Sequence, residues 1–332
     1  MARRVALLVN IGSPAKPSLF SVARFLFAFL NDKRVIDLPY IPRVLLVNLI
    51  IVPFRIKKST SLYKRLWKNQ ESPLIQYSNK LIAKIREISG DELKVLYASR
   101  YGQPHIIDVL KRVKESAAGE IIIVPLFPHY ASSTTGSVIE KCLKEIKNWK
   151  IIPRLRIVNQ FYHHPAFIDS FSTQINRYKP PEYDHVIFSY HGLPLKHVDE
   201  SHPGISSQGC NCESRMPSHG RACYKAACYA TTRLLVNKLG LSGNFSVGFQ
   251  SRFTNNWLSP FTDELIMKLA KQGVKKLLVV APSFVTDCLE TIVEIEEEYN
   301  TLFLAKGGEK LTLVKSLNDE DHWAKNLLSI IS

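Results

Sequence analysis

Short apolar runs alternate with stretches of helical period along almost the whole chain. Runs at 5–9, 94–97, 121–124, 151–158, 185–188, 245–249 and 276–280 are rich in Val, Ile, Leu and Phe and are bounded mostly by polar residues, Gly or Pro. They are too short for helices and predict strands. Between them, apolar positions three and four residues apart predict helices at 19–30, 77–88, 106–116, 137–147, 165–178, 222–239 and 263–272. Apolar strands separated by amphipathic helices imply parallel sheets covered on both faces. The alternation runs twice, and the segment 121–127 followed by a helix with Glu140 is echoed by 277–284 followed by a helix with Glu290. The expected fold is therefore α/β, with two similar Rossmann-like domains over 1–150 and 151–310 and a strand and helix extension over 311–332. A ligand is expected in a cleft between two such units.

Two strand ends carry candidate chemistry. Val186 to Tyr190 runs into His191, Gly192 and Pro194, which puts an imidazole at a carboxyl-end strand tip. Leu277 to Val280 ends at Pro282 and leads into an acidic helix, in which Asp287, Glu290, Glu294 and Glu298 fall at three- and four-residue steps on one face. Like charges at that spacing destabilise a helix, and the helix dipole compensates only the first turn. A file of carboxylates that passes on protons or a divalent cation accounts for all four.

Composition narrows the class. The 332 residues suffice for two domains, and 45% hydrophobic with 22% charged residues is ordinary for a globular chain. The net charge of +15 suits an acidic small molecule, anionic lipid or nucleic acid. No zinc-finger, basic-zipper or RNA-binding aromatic motif is present, which argues against nucleic acid. The stretch from Asn10 to Pro14 offers a single Gly, so a nucleotide-binding fingerprint is missing as well. The apolar stretch 44–54 is too short to span a bilayer. Six Cys without an export signal favour the reducing cytoplasm over a disulfide framework.

Several motifs in order resemble the ferrochelatase family over nearly the whole chain. They are Asn10-Ile11-Gly12-Ser13-Pro14, the 29–39 segment, Arg100-Tyr101-Gly102, Pro128-His129-Tyr130 with Thr135-Gly136-Ser137, Ser189 to Pro194, Phe249-Gln250-Ser251-Arg252 with Trp257-Leu258, and Asp287-Cys288-Leu289-Glu290-Thr291. The chain departs from the family pattern at Glu71 and at Thr254-Asn255-Asn256, where loop geometry is affected. The resemblance implies an enzyme, a lyase that inserts Fe²⁺ into protoporphyrin IX to form haem, with two Rossmann-type domains around a porphyrin cleft. It implies His191 and Glu290 at the metal-insertion centre. Glu294, Glu298 and Asp287 are expected as a relay, and Arg100, Tyr101, Tyr130, Arg252 and Trp257 as porphyrin contacts. Coproporphyrin III as substrate, or a non-catalytic tetrapyrrole carrier, are the rival readings. The apolar stretch around 44–54, flanked by Arg43, Arg55, Lys57 and Lys58, is expected to touch the inner membrane peripherally.

Cys210, Cys212, Cys223 and Cys228, spaced C-x-C-x10-C-x4-C, match the ligand count of a four-cysteine zinc site or a 2Fe–2S cluster. The spacing does not separate the two, and the family resemblance favours the cluster.

Overall fold

The computed structural model describes residues 4–67, 71–202, 204–206, 208–218 and 222–332. Eight strands form two sheets: β1 (Arg4–Asn10), β2 (Leu93–Ser99), β3 (Glu120–Pro125) and β4 (Arg154–Ile157) in one, β5 (His185–His191), β6 (Phe245–Gln250), β7 (Lys276–Val280) and β8 (Lys310–Leu313) in the other. The orders are β2-β1-β3-β4 and β6-β5-β7-β8, and every pairing is parallel. Each half thus places its first strand second from the edge. The expected pair of similar parallel-sheet units is what forms.

The central strands are buried on both faces, as parallel strands between helices must be. Val5 to Val9 in β1 and Leu277 to Val280 in β7 are fully buried. Their side chains pack with Val109, Leu110 and Val138 in the first unit, and with Ile266, Ile295 and Phe303 in the second. Fully burying one such side chain contributes about 1.5–3 kcal/mol, so each of these strands is a substantial source of stability.

By packing, the chain forms two compact units. One unit takes the chain up to residue 127, residues 131–160 and residues 319–332; the other takes 128–130 and 161–318. Strand β8 stays with the second unit, and only the final helix, Asp321–Ile331, joins the first. There it packs on the Pro73–Ser89 helix, burying Trp323, Leu327 and Ile331 completely. Lys84 reaches Asp321 at 2.8 Å, and Arg156 donates to the Ser332 carbonyl at 3.0 Å.

Within the first unit, residues 40–66 form one continuous helical arm. Tyr40–Leu45 and Val52–Leu66 are α-helical, and the Leu46–Ile51 stretch between them winds as a π-helix. Val47 and Val52 turn inward onto Leu30, and Asn31 Nδ2 donates to Asn48 Oδ1 at 2.9 Å. The outward face is apolar: Tyr40, Ile41, Leu49 and Phe54 are exposed, Phe54 by 83%. Arg43 does not flank that face, since it is buried and donates to the Leu38 carbonyl at 2.5 Å.

Candidate active site

Strand β5 carries His191 to the carboxyl edge of its sheet in register with Gln250 of β6. Gly192 follows because the backbone passes too close to its neighbours for a side chain. A Cβ there would stand 2.9 Å from the Gln250 carbonyl and 3.3 Å from Trp257 Cε3. The next residues pair with the 256–258 loop: Leu195 donates to the Asn256 carbonyl and Leu258 to the Leu193 carbonyl, both at 2.9 Å. Trp257 is thereby set beside the imidazole at a ring separation of 6.4 Å, with Phe284 at 6.2 Å.

Hydrogen bonds fix both the backbone and the tautomer of His191. Its N–H donates to Ser283 Oγ at 3.2 Å, and its carbonyl accepts from the Tyr224 hydroxyl at 2.8 Å. Nδ1 lies 2.6 Å from the Gly192 carbonyl. A carbonyl only accepts, so Nδ1 bears the hydrogen and Nε2 keeps an open lone pair.

The acidic helix is wound differently from the expected one. Leu289–Tyr299 is a π-helix, capped at its start by Cys288 and Thr291, whose Oγ1 accepts the Cys288 N–H at 2.9 Å. Such wide turns are rare and concentrate at functional sites. Glu294 is the carboxylate of this helix that the described hydrogen bonds hold most tightly. It accepts from the Ser251 N–H at 2.8 Å, the Ser251 hydroxyl, the Tyr299 hydroxyl at 2.8 Å and Gln250 Nε2 at 3.3 Å. Burial pushes its carboxyl above the usual carboxylate range, the hydrogen bonds of Ser251 and Tyr299 and the neighbouring His191 pull it back, and Glu290 adds to the upward push. Gln250 Nε2 also donates to the Glu290 carbonyl at 3.0 Å. His191, Glu290 and Glu294 therefore share one electrostatic neighbourhood. Cys288 beside them is buried with its thiol pushed well up, first by burial and then by Glu290, which keeps it protonated and unreactive.

The other two members of the expected file lie elsewhere. Asp287 precedes the helix, is buried, and accepts from Asn318 Nδ2 at 2.7 Å and the Ser316 N–H at 3.2 Å. It clamps the 316–318 segment and is not part of the file. Glu298 is exposed toward the far end of the helix.

Residues expected to meet porphyrin are largely engaged by protein groups. Arg252 pairs with Glu264 at 2.7 Å and Asp263 at 3.0 Å and stacks on Phe261, so its charge is already matched. In the first unit Arg100 reaches Asp32 at 2.6 Å, and the hydroxyls of Tyr101 and Ser137 donate to the same oxygen at 2.8 and 2.6 Å. Burial works against the Asp32 charge, but Ser137, the Arg34 N–H, Tyr101 and Arg100 together hold its carboxyl below the usual range. Breaking a part-buried pair of this kind costs up to about 3–5 kcal/mol, so this network positions backbone first. Tyr130 is half-buried next to the fully enclosed His129. Trp257 stands beside the imidazole.

The cysteines divide. Cys212 and Cys223 gather with His202, which the spacing could not reveal, and Cys210 hydrogen-bonds Cys212. Cys228 is fully buried on the Tyr224–Leu239 helix and hydrogen-bonds Tyr224. Of the four cysteines in the spacing pattern, Cys212 and Cys223 stand with His202, Cys210 adjoins Cys212, and Cys228 lies one turn into the helix. Sequence reasoning passed over Ser283, Tyr224 and Tyr299, and quoted Gln250 and Ser251 in a motif without giving them a role, although these five hold His191 and Glu294.

Known proteins share this arrangement's sequence and fold. Residues 4–332 match the ferrochelatase family profile. A ferrochelatase from Coxiella burnetii is 40% identical over 325 residues, covering 96% of this chain and 90% of that protein. One from Legionella pneumophila is 38% identical over 339 residues, covering 99% of each. The solved structure of SirB from Bacillus subtilis with Fe³⁺ aligns with a TM-score of 0.54 over 99% of this chain and 94% of that one at 13% identity, a likeness of fold.

Proposed function

The chain belongs to the ferrochelatase family and is a lyase that inserts Fe²⁺ into a porphyrin, and from that premise we propose that His191, Glu290 and Glu294 exchange the two pyrrole protons of protoporphyrin IX for the metal. The overall change is the loss of two N–H protons and the gain of one Fe²⁺, with no electron transferred. The observation that carries the assignment is the bond from His191 Nδ1 to the Gly192 carbonyl, which leaves the Nε2 lone pair free to act as a base. Nε2 takes one pyrrole proton, and the resulting imidazolium is favoured by the nearby Glu294 carboxylate. Glu290 takes the second proton or passes the metal, since carboxylates and imidazole are both acceptable Fe²⁺ ligands. Glu298, exposed toward the other end of the helix, exchanges protons or metal with solvent. Trp257 offers an aromatic face to the flat macrocycle beside the imidazole.

Anaerobic incubation with Fe²⁺ tests this, with protoporphyrin IX and coproporphyrin III as alternative substrates. Haem should form from the first at the higher kcat/KM; a preference for coproporphyrin would overturn the substrate assignment, and no product from either would favour a carrier. His191→Ala and Glu290→Gln should lose metallation by at least about a hundredfold while remaining folded. Glu298→Gln should mainly raise the apparent KM for metal. Near-normal turnover of a folded His191→Ala protein would exclude the imidazole as base.

We further propose that the exposed apolar face of the 40–54 arm rests on a lipid surface, from which a hydrophobic substrate is drawn. Among the described residues no helix is long and apolar enough to cross a membrane. The supporting pattern is Tyr40, Ile41, Leu49 and Phe54 outward, with Arg55, Lys57 and Lys58 exposed just beyond.

A further inference from the structure

Of the four carboxylates in the acidic set, Asp287 takes no part in the proton and metal path, yet it is buried and both of its oxygens are engaged. Oδ1 accepts the Ser316 N–H at 3.2 Å, and Oδ2 accepts from Asn318 Nδ2 at 2.7 Å. Asn318 returns the contact. Its Oδ1 accepts the Asp287 N–H at 2.8 Å, and its own N–H donates to the Val285 carbonyl at 2.9 Å. Asn318 stands in the left-handed region with φ of 46°, which Asn and Asp tolerate better than most residues. The partner segment is itself fixed: Gln174 Nε2, on the Pro165–Asn176 helix, donates to the Lys315 carbonyl at 3.1 Å, and the Lys315 N–H donates to the Tyr178 hydroxyl at 3.2 Å. The donors to Asp287 are amides, which neither take up nor release protons near neutral pH, so this carboxyl is poorly placed to hand protons on.

The clasp holds the start of the acidic helix instead. Segment 283–288 grips His191 at one end, where Ser283 Oγ accepts the His191 N–H at 3.2 Å. At its other end Cys288 caps the Leu289–Tyr299 helix, whose second residue is Glu290. Resting on the roles assigned to His191 and Glu290, we propose that Asp287 is a positioning residue, and that its clasp with Asn318 sets where Glu290 stands relative to His191. The exchange of two pyrrole protons for a metal needs both groups at one macrocycle, and a misplacement of about 1 Å costs on the order of a hundredfold in rate.

The two side chains are complementary in a way that can be exchanged. Asp287→Asn sets one amide against another and leaves a donor unpaired, whereas Asn318→Asp sets two carboxyls against each other. The double exchange restores every bond with the side-chain donor reversed, since the amide at 287 donates to the carboxyl at 318, which still accepts the residue-287 N–H.

The test measures anaerobic Fe²⁺ insertion into protoporphyrin IX per folded molecule, below the melting temperature of each variant. Each single exchange should lower kcat by about ten- to a hundredfold with both KM values within about threefold, and the double exchange should recover to within about threefold of wild type. Asn318→Gly, which suits the positive φ and leaves Asp287 in place, should lower kcat as the single exchanges do, and it stands in for one that does not fold. A relay through Asp287 would instead leave Asn318→Gly near wild type and the double exchange as impaired as Asp287→Asn; either result would overturn the proposal. So would variants that only melt earlier, with turnover per folded molecule unchanged. Amide exchange over 289–292, read by mass spectrometry, follows the clasp without turnover: it should quicken in Asn318→Gly and return to the wild-type rate in the double exchange. An unchanged rate in Asn318→Gly would overturn the proposal as well. Porphyrin metallation by the wild-type chain reports on the chelatase reading separately.

Discussion

Ser251 is a non-glycine residue in the left-handed region, with φ of 61°, and it spends that strain on Glu294. Its N–H and hydroxyl both point at the carboxylate. Removing the hydroxyl in Ser251→Ala takes away one charge-assisted hydrogen bond, worth about 1.5–3 kcal/mol, and lets burial raise the carboxyl further. A carboxylate that acts ionised loses its contribution as pH falls through its pKa, and a higher pKa brings that loss on earlier. The acid limb of kcat/KM for Fe²⁺ insertion should therefore move by about one to two units toward neutral pH. An unmoved limb would mean that Glu294 is not the titrating group. Nothing in the residue type announces this role. Ser is not a residue that favours positive φ, and in the motif Gln250-Ser251-Arg252 the charged neighbour attracts the assignment although its charge is satisfied by Asp263 and Glu264. His202 escaped notice for a related reason, since distance along the chain says little about which side chains a loop folds inward.

At the scale of elements, the strands and α-helices were legible because their periods differ and each buries a continuous apolar face. Strand β7 begins and ends where its apolar run does, and the Leu19–Leu30 helix likewise. The π-helical turns were not legible. Residues 46–51, 132–136 and 289–299 shift the backbone bond by one residue without altering which residue types the pattern needs. Two of the three overlap motifs that carry the family resemblance, and the third lies in the arm. The arm also yields a prediction, because its apolar residues are presented to solvent on one side. Replacing both Ile41 and Phe54 by Glu removes about 1.5 kcal/mol of interfacial burial each, so partitioning onto anionic vesicles should drop by about a hundredfold, read by co-sedimentation of protein with an unchanged circular dichroism spectrum. Equal sedimentation of the wild-type and variant chains would assign the face to something other than lipid.

For the molecule as a whole, the repeated strand order places equivalent strand tips in each unit, and among the described residues it is the second unit that joins a histidine tip to an acidic helix. That unit also encloses His129, whose Nε2 lies 2.9 Å from Thr231 Oγ1 amid Tyr162, Phe167, Tyr190 and Tyr224. Burial lowers its pKa to about 3. The unfolded chain regains an ordinary histidine, so its protonation favours unfolding. Stability from this residue is complete above about pH 6.5 and is lost as pH falls from there toward 3, at up to about 1.4 kcal/mol per pH unit. Urea midpoints measured from pH 7 to 5 should fall accordingly, and His129→Gln should flatten the slope even though it lowers stability at pH 7. The Asp321–Ile331 helix has a consequence of a different kind. It completes the core beneath the Pro73–Ser89 helix, but it is translated only after the whole of the second unit. On the ribosome, the second unit can close while the first still waits with an uncovered groove, so the half of the protein begun first is finished second.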